Sequence, residues 1–304
     1  MPVSEMRVEI DGRMVKLSNL DKVLYPQTGT TKGEVLDYYA RVAPAILRQL
    51  RDRAVTRVRW PHGTGQANFF EKNAPAGTPS WVRTVTVPTS GSRTADQREG
   101  TLTFPVADDL ATLTWMANLA ALELHVHQWR VDDSGEPVGA DRIVIDLDPG
   151  APAGLQECSQ VALLVRDTLA GHGLTAIPVL SGSKGLHLYA TLPAPAEPEV
   201  ATGIAKAIAD GLEVSHPRLV TATMTKARRA GKVFVDWSQN SGSKTTLAPW
   251  SLRGGDRPTA AAPVSWAEVE AGAEDPLGLE QMDFREVVRR LETFGDPFDQ
   301  ANDG

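Results

Sequence analysis

Two carboxylates one residue apart close an apolar, β-branched run, Arg142-Ile143-Val144-Ile145-Asp146-Leu147-Asp148, which Pro149-Gly150 then breaks. Side chains along a strand alternate faces, so Asp146 and Asp148 share one face while Ile143, Ile145 and Leu147 take the other. Like charges about 7 Å apart on a strand face repel unless a cation lies between them. A third carboxylate, Asp236, ends a similar run, Lys232-Val233-Phe234-Val235-Asp236. Three carboxylates on one face make an oxygen-only site suited to Mg²⁺ or Mn²⁺, which complete their octahedra with water and substrate phosphates. Two such ions would serve both the attacking and the leaving oxygen of an in-line phosphoryl displacement.

A second chemical stretch is Ser181-Gly182-Ser183-Lys184-Gly185-Leu186-His187-Leu188-Tyr189. Small residues and a lysine form a tight turn there, whose backbone N–H groups and ammonium could grip a triphosphate, and a histidine follows on a strand. The Walker spacing G-x-x-x-x-G-K-[ST] is absent, which argues against an ATPase. Ser241-Gly242-Ser243-Lys244 repeats the first four residues in a different setting and reads as a second phosphate-facing loop.

Distant residues need a sheet to bring them together. From residue 142 the pattern runs strand (Ile143 to Asp148), helix (about Leu155 to Ala170), strand (Ala176 to Leu180), strand (Leu186 to Ala190), helix (about Pro198 to Leu212), strand (Val233 to Trp237). That order predicts an α+β chain whose catalytic sheet is a ferredoxin-like, RRM-like split βαβ. The first strand then lies between the third and fourth, making Asp146, Asp148, His187 and Asp236 neighbours on one face.

Upstream, Thr31-Lys32-Gly33-Glu34 has capping-box spacing and Val35, Tyr39, Val42, Ile46 and Leu50 follow a helical stripe, predicting a helix from about Lys32 to Leu50. Ala54 to Phe104 reads as short strands and loops, and Leu113 to His125, rich in Ala and Leu, as a buried helix. Three segments result: an amino-terminal α/β subdomain (1–135), a catalytic palm (136–265) and an acidic carboxy-terminal segment (266–304), together one compact unit.

With 304 residues and 41% hydrophobic content, the chain can bury a large core. No stretch reaches the ~20 apolar residues of a membrane span, and the polar start lacks a signal peptide's apolar core, so a cytoplasmic protein is expected. Cys158 is the only cysteine, which excludes an intrachain disulfide and a Cys-rich zinc site. The net charge of −7 is unevenly spread: Arg13 to Arg59 holds ten Lys/Arg against four Asp/Glu, and Pro263 to the end three against eleven. The amino-terminal part can face phosphates. Within it, Arg48, Arg51, Arg53 and Arg57 read as the wet face of the helix and the loop after it.

These motifs resemble the three signatures of the archaeo-eukaryotic primase superfamily. More narrowly, the chain resembles the polymerase domain of bacterial ATP-dependent DNA ligase D and its stand-alone primase-polymerase relatives. The likeness extends through Asn19-Leu20-Asp21-Lys22-Val23-Leu24-Tyr25-Pro26, Asn68-Phe69-Phe70-Glu71-Lys72, Leu122-Glu123-Leu124-His125 and Ser251-Leu252-Arg253.

The resemblance implies a template-dependent nucleotidyltransferase that fills gaps and extends primers in non-homologous end joining, preferring ribonucleotides and Mn²⁺, with Mg²⁺ as a substitute. Stand-alone gap filling in excision repair is the alternative. Asp146, Asp148 and Asp236 would bind two metal ions. Ser181, Lys184, His187 and Arg253 match positions that hold the nucleotide's triphosphate and sugar; His125, Lys244, Arg229 and Gln239 match further nucleotide-side positions. The implied partners are gapped or overhanging DNA bearing a 5′-phosphate, a DNA ligase domain and Ku, in a nucleoid-associated cytoplasmic setting.

The family's 5′-phosphate site matches Lys22 and Lys32, with Asn19 beside them. Lys32 falls at the expected helix start, where free N–H groups and the dipole favour an anion. Phe69-Phe70 could stack on a template base, although in a strand one of the two must point inward. A haloacid-dehalogenase-like phosphatase also uses Asp-x-Asp, but it needs Thr or Val after the second Asp, where Pro149 stands. A non-catalytic DNA-end-binding module would have no use for all three carboxylates together with Lys184 and His187.

Overall fold

The computed structural model describes residues 5–88 and 100–300. Residues 89–99, part of the stretch expected to form short strands and loops, lie outside it, as do the ends of the chain. The fold is mixed α+β, and the largest sheet among the described residues has seven strands. Six run in the order Val220–Thr221, Val233–Asp236, Pro137–Pro149, Leu186–Ala196, Ala176–Leu180, Ala262–Pro263, while Trp129–Val131 also pairs with Pro137–Pro149. Only the Val220–Thr221 pairing is parallel. The strand carrying Asp146 thus lies between those carrying His187 and Asp236, the order expected from the sequence. The sheet exceeds the expected four strands because short segments add at both edges.

Helices Leu155–Gly171 and Pro198–Ser215 cover one face of this sheet. Each presents an apolar stripe, Cys158, Val161, Ala162, Val165 and Leu169 on one, Ala201, Ala205, Ile208, Ala209 and Leu212 on the other. They bury Ile143, Ile145 and Leu147, each 0% exposed. The odd-numbered face of the strand is therefore core, and the even-numbered face is left for Asp146 and Asp148.

A second antiparallel sheet runs Thr246–Leu247, Ala121–Val126, Val55–Arg59, Phe69–Glu71. Helix Lys32–Leu50 starts where the sequence places it, with Thr31 and Glu34 closing the capping box. The expected helix from Leu113 to His125 is corrected. A helix capped by Asp109 covers only Leu110–Asn118, Ala120 takes a left-handed φ of 59°, and Ala121–Val126 is a strand. Leu122, Leu124 and Val126 are buried while Glu123 and His125 are only partly so, a period of two that the Ala/Leu composition masks. Pairing with strands on both sides overrides helix propensity here.

Two of the four arginines read as a wet face are also corrected, since Arg53 and Arg57 are fully buried. Arg53 donates to the carbonyls of His127, Gln128 and Trp129 and to Asp141; Arg57 meets the Asn73 carbonyl and Glu71. The acidic carboxy-terminal segment forms helices Trp266–Glu274 and Phe284–Phe294. Phe284 packs edge-on to Tyr38 of helix Lys32–Leu50, their centroids 5.7 Å apart, and one buried apolar cluster runs from Leu24 to Val288. No helix among the described residues is long and apolar enough to cross a membrane.

Candidate active site

Strand register sets the centre of the site. Asp146 lies directly opposite His187 on one neighbouring strand and opposite Asp236 on the other. Directly opposed residues point the same way, so all three side chains project from one face, with Asp148 two residues on. The His187 Nε2 is 3.4 Å from Asp146 Oδ1. Burial, reinforced by Arg253 and His125, pushes the His187 imidazole down to about 3, so it is neutral and this contact is not an ion pair. Both oxygens of Asp236 are engaged: one accepts from the Ser238 amide at 3.1 Å and from the Ser238 hydroxyl, the other from Gln239 Nε2 at 2.9 Å. Lys244 Nζ donates to that same hydroxyl.

A cavity of about 280 Å³ opens on this face, walled by Asp146, Asp148, Ser181, Lys184, His187 and Arg253 among others. The Ser181–Gly185 turn is built from within. Its Ser181 hydroxyl accepts from the amides of Ser183 (3.2 Å) and Gly185 (3.1 Å), and the Ser181 amide donates to the Gly185 carbonyl (3.0 Å). The Ser183 and Gly185 amides are thus turned inward, and the cations that face the cavity are Lys184, Arg253 and Arg229. A Cβ on Gly185 would lie 1.9 Å from the Leu147 carbonyl oxygen, which ties the loop to the Asp146 strand.

Arg253 is aimed from two sides. Its Nε donates to the Ser181 carbonyl at 2.8 Å and its Nη1 is 3.5 Å from Glu123 Oε2. The same Glu123 oxygen is 2.7 Å from His125 Nε2, and the other accepts from the Gly254 amide at 3.1 Å. Glu123 drew no role from the sequence, although it stands two residues before His125 in a strand, where it must share that residue's face. Asn240 was equally unassigned; its side chain brackets the backbone of Val144, at 2.8 and 2.7 Å, and continues the ladder where the Asp236 strand stops. Arg229 lies with its guanidinium 3.6 Å above the Phe234 ring, beside Asp148. In the second Ser-Gly-Ser-Lys loop the Gly242 carbonyl is held by Trp129, and only Lys244 reaches toward Asp236.

Away from the carboxylates, Asn19, Lys22 and Lys32 are gathered by backbone bonds. The Lys22 amide donates to Asn19 at 3.0 Å and its carbonyl accepts from the Lys32 amide at 2.8 Å. The helix end does not offer free N–H groups as anticipated: those of Lys32, Gly33 and Glu34 are taken by Lys22, Leu20 and Thr31. Positive charge there comes from the side chains. Burial, and then the nearby Lys22, push the Lys32 ammonium down to about 8.

Phe69 and Phe70 depart from expectation in the other direction. Both are half exposed, at 49% and 53%, because the strand Phe69–Glu71 is a sheet edge with neither face covered. The Phe70 ring lies edge-on to His125, their centroids 6.4 Å apart. His127, given no role, is buried and stacked on Trp129.

Residues 31–298 match the family model described as LigD, primase-polymerase domain. The chain belongs to the LigD primase-polymerase family. It is 50% identical over 287 residues to the multifunctional non-homologous end joining DNA repair protein LigD of Mycobacterium tuberculosis, covering 93% of this chain and 36% of that protein. It is 31% identical to the bifunctional LigD of Bacillus subtilis, covering 43% of it. The polymerase domain from Mycobacterium tuberculosis ligase D, solved in complex with DNA, superposes with a TM-score of 0.87 at 49% identity, covering 95% of this chain and 98% of that one. The chain spans about a third of the length of the mycobacterial relatives.

In this LigD primase-polymerase chain the carboxylates are electrostatically frustrated. Burial, then the charges of Asp148 and Asp236, raise Asp146 well above the ordinary carboxylate range; burial and Asp236 raise Asp148. As the side chains stand, no group of three or more His, Cys, Asp or Glu among the described residues is arranged to hold a metal ion, and Asp236 is bound to Ser238 and Gln239.

Proposed function

We propose that this chain is a template-dependent DNA-directed nucleotidyltransferase that fills gaps and extends primers at DNA ends in non-homologous end joining, using ribonucleoside triphosphates in preference to deoxyribonucleotides. The observation that carries the reading is the opposition of Asp146 to both His187 and Asp236 beside a cavity whose far wall is cationic. We read the four central strands as a ferredoxin-like palm, and the gapped DNA, its 5′-phosphate, a ligase domain and Ku as its partners.

The donor set suits a pair of hard divalent cations, Mn²⁺ before Mg²⁺. It is all oxygen, and the raised Asp146 and Asp148 carry repulsion that a cation would relieve. Asp146 and Asp148 would hold the ions, joined by Asp236 once released from Gln239. When bound, they supply charge stabilisation to the attacking and leaving oxygens of an in-line displacement.

Everything else falls to this chain's own groups. Lys184 and Arg253 bind the triphosphate, and Arg253 is kept in place by Ser181 and Glu123. Neutral His187 offers a hydrogen bond to the sugar or phosphate without adding charge. His125, Gln239, Lys244 and Arg229 line the approach to the nucleotide. Lys22 and Lys32, with Asn19, take the 5′-phosphate of the downstream strand, and Phe69 and Phe70 give a template base a surface to stack on. The primer 3′ hydroxyl gives up its proton to solvent and its oxygen bonds to the α-phosphorus as the α–β phosphoanhydride bond breaks, and pyrophosphate leaves toward Lys184.

The test is extension of a primer across a short gap with a 5′-phosphorylated downstream strand, with Mn²⁺. Asp148→Ala should lower extension by about three orders of magnitude, the worth of several kcal/mol of charge stabilisation, while gapped-duplex binding measured by anisotropy is unchanged. Undiminished extension by Asp148→Ala would sink the assignment.

A further inference from the structure

On the same sheet face, four residues back along the strand from Asp146 and hence about 13 Å away, lies a second polar cavity of about 250 Å³. Its wall carries five guanidinium groups, those of Arg48, Arg51, Arg53, Arg130 and Arg142, against the one carboxylate of Asp141. That carboxylate is already shared: Arg53 reaches it at 2.5 and 2.8 Å and Arg130 at 2.5 Å. Arg48 is paired with Asp299. Among the described residues Arg51 and Arg142 have no acidic partner within ion-pair distance.

Arg142 is the telling group. It is only 6% exposed, yet its hydrogen bonds go to neutral oxygens, Nε to Gln128 at 2.8 Å and Nη1 to Gln49 at 2.6 Å. Its Nη2 is buried with no hydrogen-bond partner. The charge that offsets this buried cation is Asp141, which Arg53 and Arg130 already engage, so one carboxylate serves a cluster of guanidinium groups and the cavity keeps an excess of positive charge that an anion would balance. The Tyr189 ring packs on Arg142, its centroid 4.9 Å from the guanidinium carbon.

We infer that this cavity is an oxyanion site that takes a phosphate group between Arg142, Arg130 and Arg51. Planar guanidinium forks match phosphate oxygens in pairs, and the volume exceeds several times the ~30 Å³ share of one water molecule. The site is separate from the carboxylate centre and does not depend on the polymerase reading. It is also close to that centre, because the Tyr189 hydroxyl is 3.4 Å from His187 Nδ1.

The phosphate could come from a free anion or from a nucleic-acid strand, and one experiment separates the two. Protein labelled with ¹⁵N-arginine is titrated at constant ionic strength with inorganic phosphate, pyrophosphate and a short DNA duplex while the Arg142 Nε–H signal is followed. Because Tyr189 links Arg142 to His187, the titrations are repeated in Lys184→Ala, which weakens phosphate binding at the carboxylate centre; movement that persists there reports this cavity, and movement lost there counts against it. Saturable movement with phosphate or pyrophosphate alone assigns a free anion; saturation by the duplex at lower concentration assigns a strand phosphate. In either case Arg51→Gln, an exposed substitution that leaves the buried network intact, should weaken binding about tenfold. A signal that no ligand moves, or movement identical in Arg51→Gln, overturns the proposal.

Discussion

Asp146 and Asp236 sit directly opposite one another on adjacent antiparallel strands, ninety residues apart in the chain. The ladder fixes their backbones, so the repulsion between their carboxylates cannot be relieved by moving the strands apart. It is met instead by protonation, by hydrogen bonds such as those Asp236 accepts from Ser238 and Gln239, or by a cation.

Stability should respond to that frustration. Replacing Asp148 by Asn removes one charge from the cluster at little change in volume, so the metal-free melting temperature should rise by about 2 °C even as extension is lost. Calorimetry in chelator decides it, and a lowered melting temperature would contradict the repulsion argument.

Lys32 carries a pH signature. Its folded value, about 8, lies below the ordinary 10.5, so folding bears a penalty that is complete below about 8, shrinks as pH rises between the two values and is gone above 10.5. Phosphate recognition runs the opposite way, because it needs the charged form. The preference for a 5′-phosphorylated over an unphosphorylated gap should therefore decline as pH climbs past about 8. In Lys22→Ala, with the neighbouring charge gone, the decline should begin at higher pH. Binding ratios measured from pH 7 to 9.5 in both proteins test this, and a flat profile in the parent chain counts against Lys32.

Because Phe69 and Phe70 are both half exposed, truncating either to Ala should leave the melting temperature nearly unchanged. Loss of one stacking partner is worth roughly 1 to 3 kcal/mol, so affinity for a gapped template should fall at least about fivefold. Equal affinity in both single variants and in the double variant would remove these rings from the DNA surface.

Glu123 is a positioning residue. Burial pushes its carboxyl up, but His125, Arg253 and the Gly254 amide together hold it below the ordinary carboxylate range. In Glu123→Gln the charge that orients Arg253 is lost, and the KM for nucleotide should rise about tenfold, with a smaller effect on kcat. A purely structural role would lower the melting temperature without separating KM from kcat.

Several local features follow from the chain alone. The helix Lys32–Leu50 is legible in the chain, because a capping box and an apolar stripe are short-range properties. The alternation around Asp146 was legible for the same reason, since pleating alone sends Asp146 and Asp148 away from Ile145 and Leu147. Leu113 to His125 was misread because its Ala and Leu content favours a helix, whereas Ala121–Val126 is held as a strand by partners far along the chain, Val55–Arg59 and Thr246–Leu247. The same distance hid Glu123, whose importance lies in an arginine 130 residues later.

What the amino-acid sequence determined by itself was therefore the chemistry, three carboxylates and a Ser-Gly-Ser-Lys turn, and the local periodicities that present them. Tertiary structure decided which groups remain free to act. It turned the Ser183 and Gly185 amides and those of the Lys32 helix end onto their own neighbours, left both rings of Phe69 and Phe70 in the open at a sheet edge, and buried Arg142 with its hydrogen bonds on neutral oxygens. The physical reason is that a residue's type and spacing set what it can bind, whereas hydrogen-bond partners and solvent exposure are set by segments that meet only when the chain has folded.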